Sequence, residues 1–214
     1  MNQSLVIIGT GGNAYDILDI VAALNDSCQE WKIIGFLDDH RPADSEYLGF
    51  PVLGPIRCAA HWQEHCFINA IGSDKSYLRR PEILASTGLS LDQFATLIHP
   101  AASVSAHAHI GRGVYINYGV SVGGGVVIGN HVSLGPRCII GHDTTIEDYA
   151  IVAPGAVISG YVEIGPNTYI GAAASIRQKL RIGEQALVGM GAVVVKEVAA
   201  GTTVVGNPAS PLRP

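Results

Sequence analysis

The chain has 214 residues, enough for one large domain or two small ones. Charged residues are only 14% against 48% for the AVILMFWYC set, which excludes a disordered or coiled-coil chain, and a net charge of −5 argues against a general nucleic-acid binder. No apolar run approaches the ~20 residues of a membrane span, Leu5–Ile8 is too short for a secretory leader, and Cys28, Cys58, Cys66 and Cys138 lack regular spacing, so the expectation is a cytoplasmic protein, not membrane-bound, with reduced thiols and a partner subunit covering its charge-poor surface.

Charge and glycine divide the chain. Residues 1–97 carry 6 Lys/Arg and 12 Asp/Glu, whereas 98–214 carry 7 and 6, and glycine splits 8 to 18. In the first part Leu5–Ile8 reads as a buried strand, Gly9-Thr10-Gly11-Gly12 as a turn, and Asn13–Leu24 as a helix with Ala14, Ile17, Leu18, Val21 and Leu24 on one face. Ile33–Leu37 is a second strand ending at Asp38-Asp39, Phe67–Ile71 a third closed by Gly72-Ser73-Asp74 ahead of a helical stretch, and Phe94–Ile98 the last. This α/β alternation predicts a small Rossmann-like parallel sheet. Gly9-x-Gly11-x-x-Ala14, after a strand and opening a helix, fits a phosphate-binding turn, and Asp38 or Asp39 can accept from a ribose or base. About 97 residues are too few for both halves of a dinucleotide site, so a single nucleotide or nucleotide sugar is the expected ligand.

From Ile98 every sixth residue is aliphatic: 98, 104, 110 and so on to Val194, seventeen positions in succession without an insertion. Glycine often follows the aliphatic, and four residues after it sits something small or aliphatic. A period of six predicts a left-handed parallel β-helix with 18 residues per triangular coil, giving domains 1–97 and 98–214. The glycines are expected where a corner side chain would be strained or in the way.

These hexads, with Gly141-His142-Asp143 inside them and Val205-Gly206-Asn207-Pro208-Ala209 behind, resemble the hexapeptide-repeat acyltransferases. With the glycine turn, Asp38-Asp39 and Leu97-Ile98-His99-Pro100, the chain is similar to the bacterial sugar acyltransferases, the family of nucleotide-linked 4-amino-sugar N-acetyltransferases and sialic acid O-acetyltransferases. The resemblance implies a homotrimer, acetyl-CoA as co-substrate bound between neighbouring β-helices, no metal, and direct transfer without an acyl-enzyme. It also puts the family's catalytic His-acid pair on His142 and Asp143.

Acyl transfer to an amine or hydroxyl needs a base, and imidazole suits that work near neutral pH. Of eight histidines, His142 alone has an adjoining carboxylate together with a preceding glycine. Residues 18 apart stack at about 4.8 Å, so the column through His142 continues Gly160, Gln178, Lys196, and the next runs Asp143, Tyr161, Lys179, Glu197. A thin thioester arm is expected against Gly160, whose N–H can donate to the acyl oxygen, with the anionic end of coenzyme A toward Arg177, Gln178, Lys179, Arg181 and Lys196. The expected cofactor contacts are Gly160, Gln178, Lys179 and Lys196 from these columns, together with Ile151 and Ala172, which lie outside them. The expected substrate contacts are Gly9, Gly11, Gly12, Asn13, Asp38, Asp39 and Gly72.

Two positions depart from the family: Asn13 stands where relatives often have His, and Gly135 where many have Asn, both where the acceptor sugar is expected. His61-Trp62-Gln63-Glu64-His65 matches a zinc-protease pattern, H-x-x-E-H, but no third ligand is evident. Rival readings are a gamma-type carbonic anhydrase, which lacks here its pair of histidines five residues apart, and a non-catalytic trimeric scaffold. Acetylation of a nucleotide-linked amine is the leading reading, with O-acetylation of a sialic-acid-like hydroxyl as the alternative.

Overall fold

A computed structural model of the chain describes residues 3–27 and 31–212, so Cys28 lies outside the described residues. The first elements are β1 (Gln3–Ile8), α1 (Asn13–Asp26), β2 (Trp31–Leu37), β3 (Glu46–Tyr47), β4 (Phe50–Gly54), β5 (Cys66–Asn69) and α2 (Arg80–Ala85), in a sheet of order β3-β4-β2-β1-β5. All pairs are parallel except the β3–β4 hairpin. Alternate residues of β1 face opposite sides: Leu5 and Ile7 meet the α1 face, Val6 and Ile8 the side of α2. On α1 the buried stripe contains Ile20, with Leu18 only partly covered.

Three details differ from the sequence reading. The β3–β4 hairpin escapes it because its turn puts Leu48 at φ 53° before Gly49 at φ 80°, and a leucine in left-handed backbone gives no turn signal. β5 stops at Asn69, whose side chain accepts from the Ile71 amide at 2.9 Å and curls the chain out of the sheet. Phe94–Ile98 is not one strand: Phe94 makes a single bridge to Phe67, and only Leu97–Ile98 is extended, pairing with Tyr115–Ile116 in the next domain.

The second domain is a parallel β-helix. Seventeen two-residue strands, Leu97–Ile98 to Val193–Val194, each end on one of the periodic aliphatics. They stack 18 residues apart into three faces. Two inward residues per hexad, the aliphatic and the one four later, make the core. The glycines after the aliphatics are there for space and not for strain. Positive φ falls two residues further on, at Arg137, Asp143, Tyr161 and Lys179 among others. A Cβ on Gly123 would instead come 2.7 Å from the His142 nitrogen of the next coil, and one on Gly165 2.6 Å from that of Glu184.

The first domain sits on one face of this prism. Tyr115, Ser133 and Ile151 point outward from it and are buried. Arg80 pins the junction: 1% exposed, it donates to the carbonyls of Tyr149 and His131, both at 2.7 Å, and to Ser133 Oγ at 3.0 Å. Burial pushes its guanidinium down to about 10, so it is cationic at neutral pH. His131 stacks on Tyr149 and edge-on to Phe94 in the same seam. Burial, and then the charge of Arg80, hold it down at about 4 against an ordinary 6.5. Between those values the unfolded chain binds the more protons, so stability falls as pH drops through that window. Denaturant unfolding measured from pH 7 to pH 4 is expected to show this loss, and His131→Phe, which keeps the aromatic stack, to flatten it.

Candidate functional site

His142 and Asp143 occupy the corner between strands Ile139–Ile140 and Thr145–Ile146, on the edge of the prism opposite the face that carries the first domain. Asp143 has φ 55°, left-handed backbone that an aspartate tolerates. There its carboxylate turns back over Gly125, where a Cβ would lie 2.6 Å from Oδ1. Its Oδ2 is 2.8 Å from His142 Nδ1. A carboxylate only accepts, so the proton is on Nδ1 and Nε2 is left as an open base. The side chains are 61% and 48% exposed.

The coil beyond aims the ring. The Tyr161 amide donates to the His142 carbonyl at 3.0 Å, and the Tyr161 ring stands edge-on to the imidazole, centroids 5.0 Å apart. A Cβ on Gly160 would lie 2.8 Å from Nε2. The bare Gly160 Cα is therefore covered by the imidazole itself and not left as a slot for another group. Its N–H donates to no acceptor among the described residues.

Beyond Gly160 the columns stack as expected, the Lys179 amide donating to the Gly160 carbonyl at 3.1 Å and Lys179 Nζ lying 5.7 Å from the Tyr161 ring centre. Gln178 and Lys196 are exposed on the same edge. Arg181 departs from this cluster, lining a 730 Å³ groove beside Glu147, Glu163, Glu184 and Glu197, which is no place for an anion. Ile151 and Ala172 lie elsewhere: Ile151 is buried under the first domain, and Ala172 is on another edge.

A second site forms where β1, β2 and β5 end. A 310 Å³ cavity is lined by Gly9, Gly11, Gly12 and Asn13 from the turn, by Asp38 and Asp39, and after β5 by Gly72, Ser73, Ser76 and Arg79. Gly9, at φ 99°, is fixed by packing, since a Cβ would lie 2.5 Å from Ile71 Cγ1. Gly11 and Gly12 are different: a Cβ on either would meet nothing of the protein within 4 Å. The fold does not require glycine there; a ligand lying against that backbone would. α1 starts at this turn without a side-chain cap, and among the described residues the Gly12 and Asn13 amides have no acceptor, whereas those of Ala14 and Tyr15 donate to the Gly11 and Gly12 carbonyls. Asp38 is largely committed to the turn, because Oδ2 accepts from the Thr10 amide at 2.9 Å and hydroxyl at 2.8 Å, and Oδ1 from the His40 amide at 2.8 Å, which leaves one acceptor position on Oδ1. Burial alone would raise this carboxyl, but those bonds outweigh it and hold it below its ordinary value. Asp39 spends one oxygen on the Ile56 amide and keeps the other.

Asn13 and Gly72 also line a 90 Å³ cleft between the domains, with Asp16, Tyr115, Ser133 and Gly135. Asn13 Nδ2 donates to the Gly72 carbonyl at 2.9 Å, and Gly72 is tight on the β-helix, where a Cβ would lie 2.8 Å from Ile151 Cδ1. Both departures from the family, Asn13 and Gly135, thus line one cleft. No side chain fits at 135, since a Cβ would lie 2.9 Å from Pro154.

One chain does not unite these parts: no residue of the His142 corner lines either cavity. Of the metal pattern, His61 ends a 3-10 helix (Ile56–Trp62) and His65 follows in a turn bonded to Ser4, so the two are not on one helical face. Among the described residues no cluster of three His, Cys, Asp or Glu could hold a metal ion. The sequence reading missed Thr10 and the Arg79-Arg80 pair. The one signal for that pair was two adjacent cations before Pro81 in a charge-poor chain.

Residues 4–80 match the family described as PglD N-terminal domain, and 125–160 match bacterial transferase hexapeptide (six repeats). Among solved structures, the acetyltransferase domain of PglB from Neisseria gonorrhoeae FA1090, in complex with acetyl coenzyme A, is 33% identical with TM-score 0.86, over 99% of this chain and 100% of that one. The chain belongs to the hexapeptide-repeat sugar acyltransferases. A mutant of perosamine N-acetyltransferase from Caulobacter crescentus, in complex with CoA and GDP-perosamine, is 25% identical with TM-score 0.84, covering 99% of this chain and 97% of that one. UDP-N-acetylbacillosamine N-acetyltransferase from Bacillus subtilis (strain 168) is 29% identical over 53% of this chain, a match spanning about half the relative's length (51%).

In this acyltransferase the fit of the imidazole over Gly160 is directly testable. Gly160→Ala is expected to swing the exposed ring off its seat at a cost below about 1 kcal/mol, since nothing buried has to move. Long-range ¹H–¹⁵N spectra of the His142 ring nitrogens, read beside a thermal melt, check both halves of that expectation.

Proposed function

We propose that this chain is an acetyl-CoA-dependent acetyltransferase that acetylates the amine of a nucleotide-linked amino sugar by direct attack, with His142 as general base. The observation that carries the reading is the His142 Nδ1–Asp143 Oδ2 bond of 2.8 Å on an open edge of the β-helix, with Nε2 unpartnered. Nε2 takes the proton that the amine sheds as its nitrogen bonds to the acetyl carbon. Asp143 holds the resulting imidazolium, which returns the proton to the departing thiolate. The open Gly160 N–H is within the same corner to receive charge developing on the acyl oxygen. Gln178, Lys179 and Lys196, further along the edge, suit the anionic part of coenzyme A.

The nucleotide fits the 310 Å³ cavity, its phosphates over Gly11, Gly12 and the start of α1, and Asp39 within reach of ribose or base. The sugar then runs past Asn13 and Gly72 into the interdomain cleft. Because that cleft and His142 are on opposite sides of one prism, a neighbouring copy supplies the base, and the working form is a homotrimer. Exposed apolar side chains around the dyad, Ile139 at 48% and Tyr161 at 51%, favour such a neighbour. In it, Ala172 of one copy flanks the cofactor held along the His142 edge of the next, while Ile151 stays within the seam. We place this reaction in the cytoplasm.

Thiol release from acetyl-CoA, measured across nucleotide-linked amino sugars and free sialic acids, tests the reading. Turnover is expected only with the former, with His142→Ala lowering kcat about 10²- to 10⁴-fold and leaving the KM for acetyl-CoA within a few-fold. A His142→Ala protein that keeps wild-type turnover would exclude this base.

A further inference from the structure

We infer that Arg79 is a phosphate-binding residue of the nucleotide cavity and that it reads the second phosphate of a nucleoside diphosphate. The inference rests on the nucleotide-sugar reading above and adds which side chain recognises the diphosphate. Sheet order sets out the cavity from end to end. Asp38, Asp39 and His40 follow β2, the glycine turn follows β1, which lies between β2 and β5, and Ser73, Ser76 and Arg79 lie on the side of β5. A ligand with its nucleoside at the β2 end and its first phosphate at the turn brings its second phosphate toward the β5 end, where the sugar path over Gly72 begins.

Charge balance requires a cation there. The cavity already carries two carboxylates, and Asp38 is held ionised by three donors. A diphosphate adds two more negative charges, so without a guanidinium its entry would be opposed. Arg41, the other arginine near the turn, is not among the residues lining the cavity: its Nε donates to Thr10 Oγ1 at 3.1 Å and its guanidinium stacks on Tyr47, 4.1 Å from the ring centre. Arg79 is exposed and without a carboxylate partner, the ion pairs among the described residues being His65–Glu64 and His142–Asp143.

The backbone that presents Arg79 is fixed from both sides. Tyr77 Oη donates to the Gln185 carbonyl at 3.1 Å, Asn167 Nδ2 donates to the Leu78 carbonyl at 3.2 Å, and next in sequence Arg80 makes its buried bonds to the β-helix. Two adjacent arginines therefore do opposite work. Arg80 fastens the segment to the prism, and Arg79, on the other side of the chain, faces the cavity.

Titration calorimetry of the full-length chain with UDP, GDP, UMP and GMP tests the assignment, using wild type, Arg79→Ala, Arg79→Gln and Arg79→Lys, with a thermal melt for each. For whichever nucleotide pair wild type binds, Arg79→Ala and Arg79→Gln are expected to weaken the diphosphate about 10- to 100-fold and the monophosphate less than about threefold, with Arg79→Lys between. An unchanged diphosphate affinity in folded Arg79→Gln, or equal losses for mono- and diphosphate, would overturn the role of Arg79 and leave the cavity as a nucleotide site. Wild type that binds none of the four overturns the nucleotide reading and this assignment together.

Discussion

Everything in the second domain follows from closing each coil at 18 residues. The inward aliphatic of each hexad must land on that of the coil below, and it does so in unbroken register from Ile98 to Val194. Any insertion would turn the apolar row outward for the rest of the prism. That constraint turns sequence spacing into position. Residues 18 apart become neighbours, and a corner residue can be aimed by side chains one coil away. His142 is held this way, between Gly125 beneath its aspartate partner and Gly160 beneath its own ring. The left-handed residue that each corner demands is the same constraint seen locally. At this corner aspartate fills it, and the bend returns the carboxylate to the imidazole beside it.

The second rigid element is the seam between the domains. A guanidinium buried among carbonyls with no carboxylate is not an economical way to gain stability, because its desolvation is large. Its worth is in position. It fixes the segment after β5 against the prism, and that segment carries Gly72, Ser76 and Arg79 to the cavity. The cavity at the ends of β1, β2 and β5 and the β-helix are therefore joined through one segment. The position of Gly72 is set by the seam, where a Cβ would lie 2.8 Å from Ile151 Cδ1.

How much of this was legible in the sequence depended on whether the signal was periodic. The β-helix could be read in full, because its rule repeats seventeen times and each hexad reports on the same core. The dyad was legible for a related reason: spacing alone stacked Gly160 on His142. What spacing could not give was the reason for that glycine, since ring and backbone had to be seen together to show that the imidazole covers it. The first domain was legible in its alternation but not at its irregular points. Leu48 in a glycine-like conformation hid a hairpin, and Asn69 cut a strand short through a side-chain bond. Asp38 reads as a ligand contact because it ends a strand beside a glycine turn, yet three of its acceptor positions hold Thr10 and His40. A carboxylate that builds a turn and one that binds a ribose look alike until the donors around them are placed.

The separation of base and nucleotide cavity within one chain constrains how copies can meet. If the His142 edge of one copy serves the cleft of another, the contacting surfaces differ, which makes the interface heterologous. A heterologous contact either closes into a ring or grows into a filament, so an enzyme with a defined number of sites must close. Each copy then gives one dyad and one cavity, and the number of sites equals the number of copies. A prism with one face covered by its own first domain leaves the other two faces and their shared edge for neighbours, and the proposed three copies around an axis parallel to the stacked coils would meet that condition. Under the proposed assembly the same closure would bury Ile139 and Tyr161, which are exposed in the single chain, and lower the dielectric around a dyad that is otherwise half in water. A lower dielectric would strengthen the Asp143–His142 bond on which the proposed proton transfer depends.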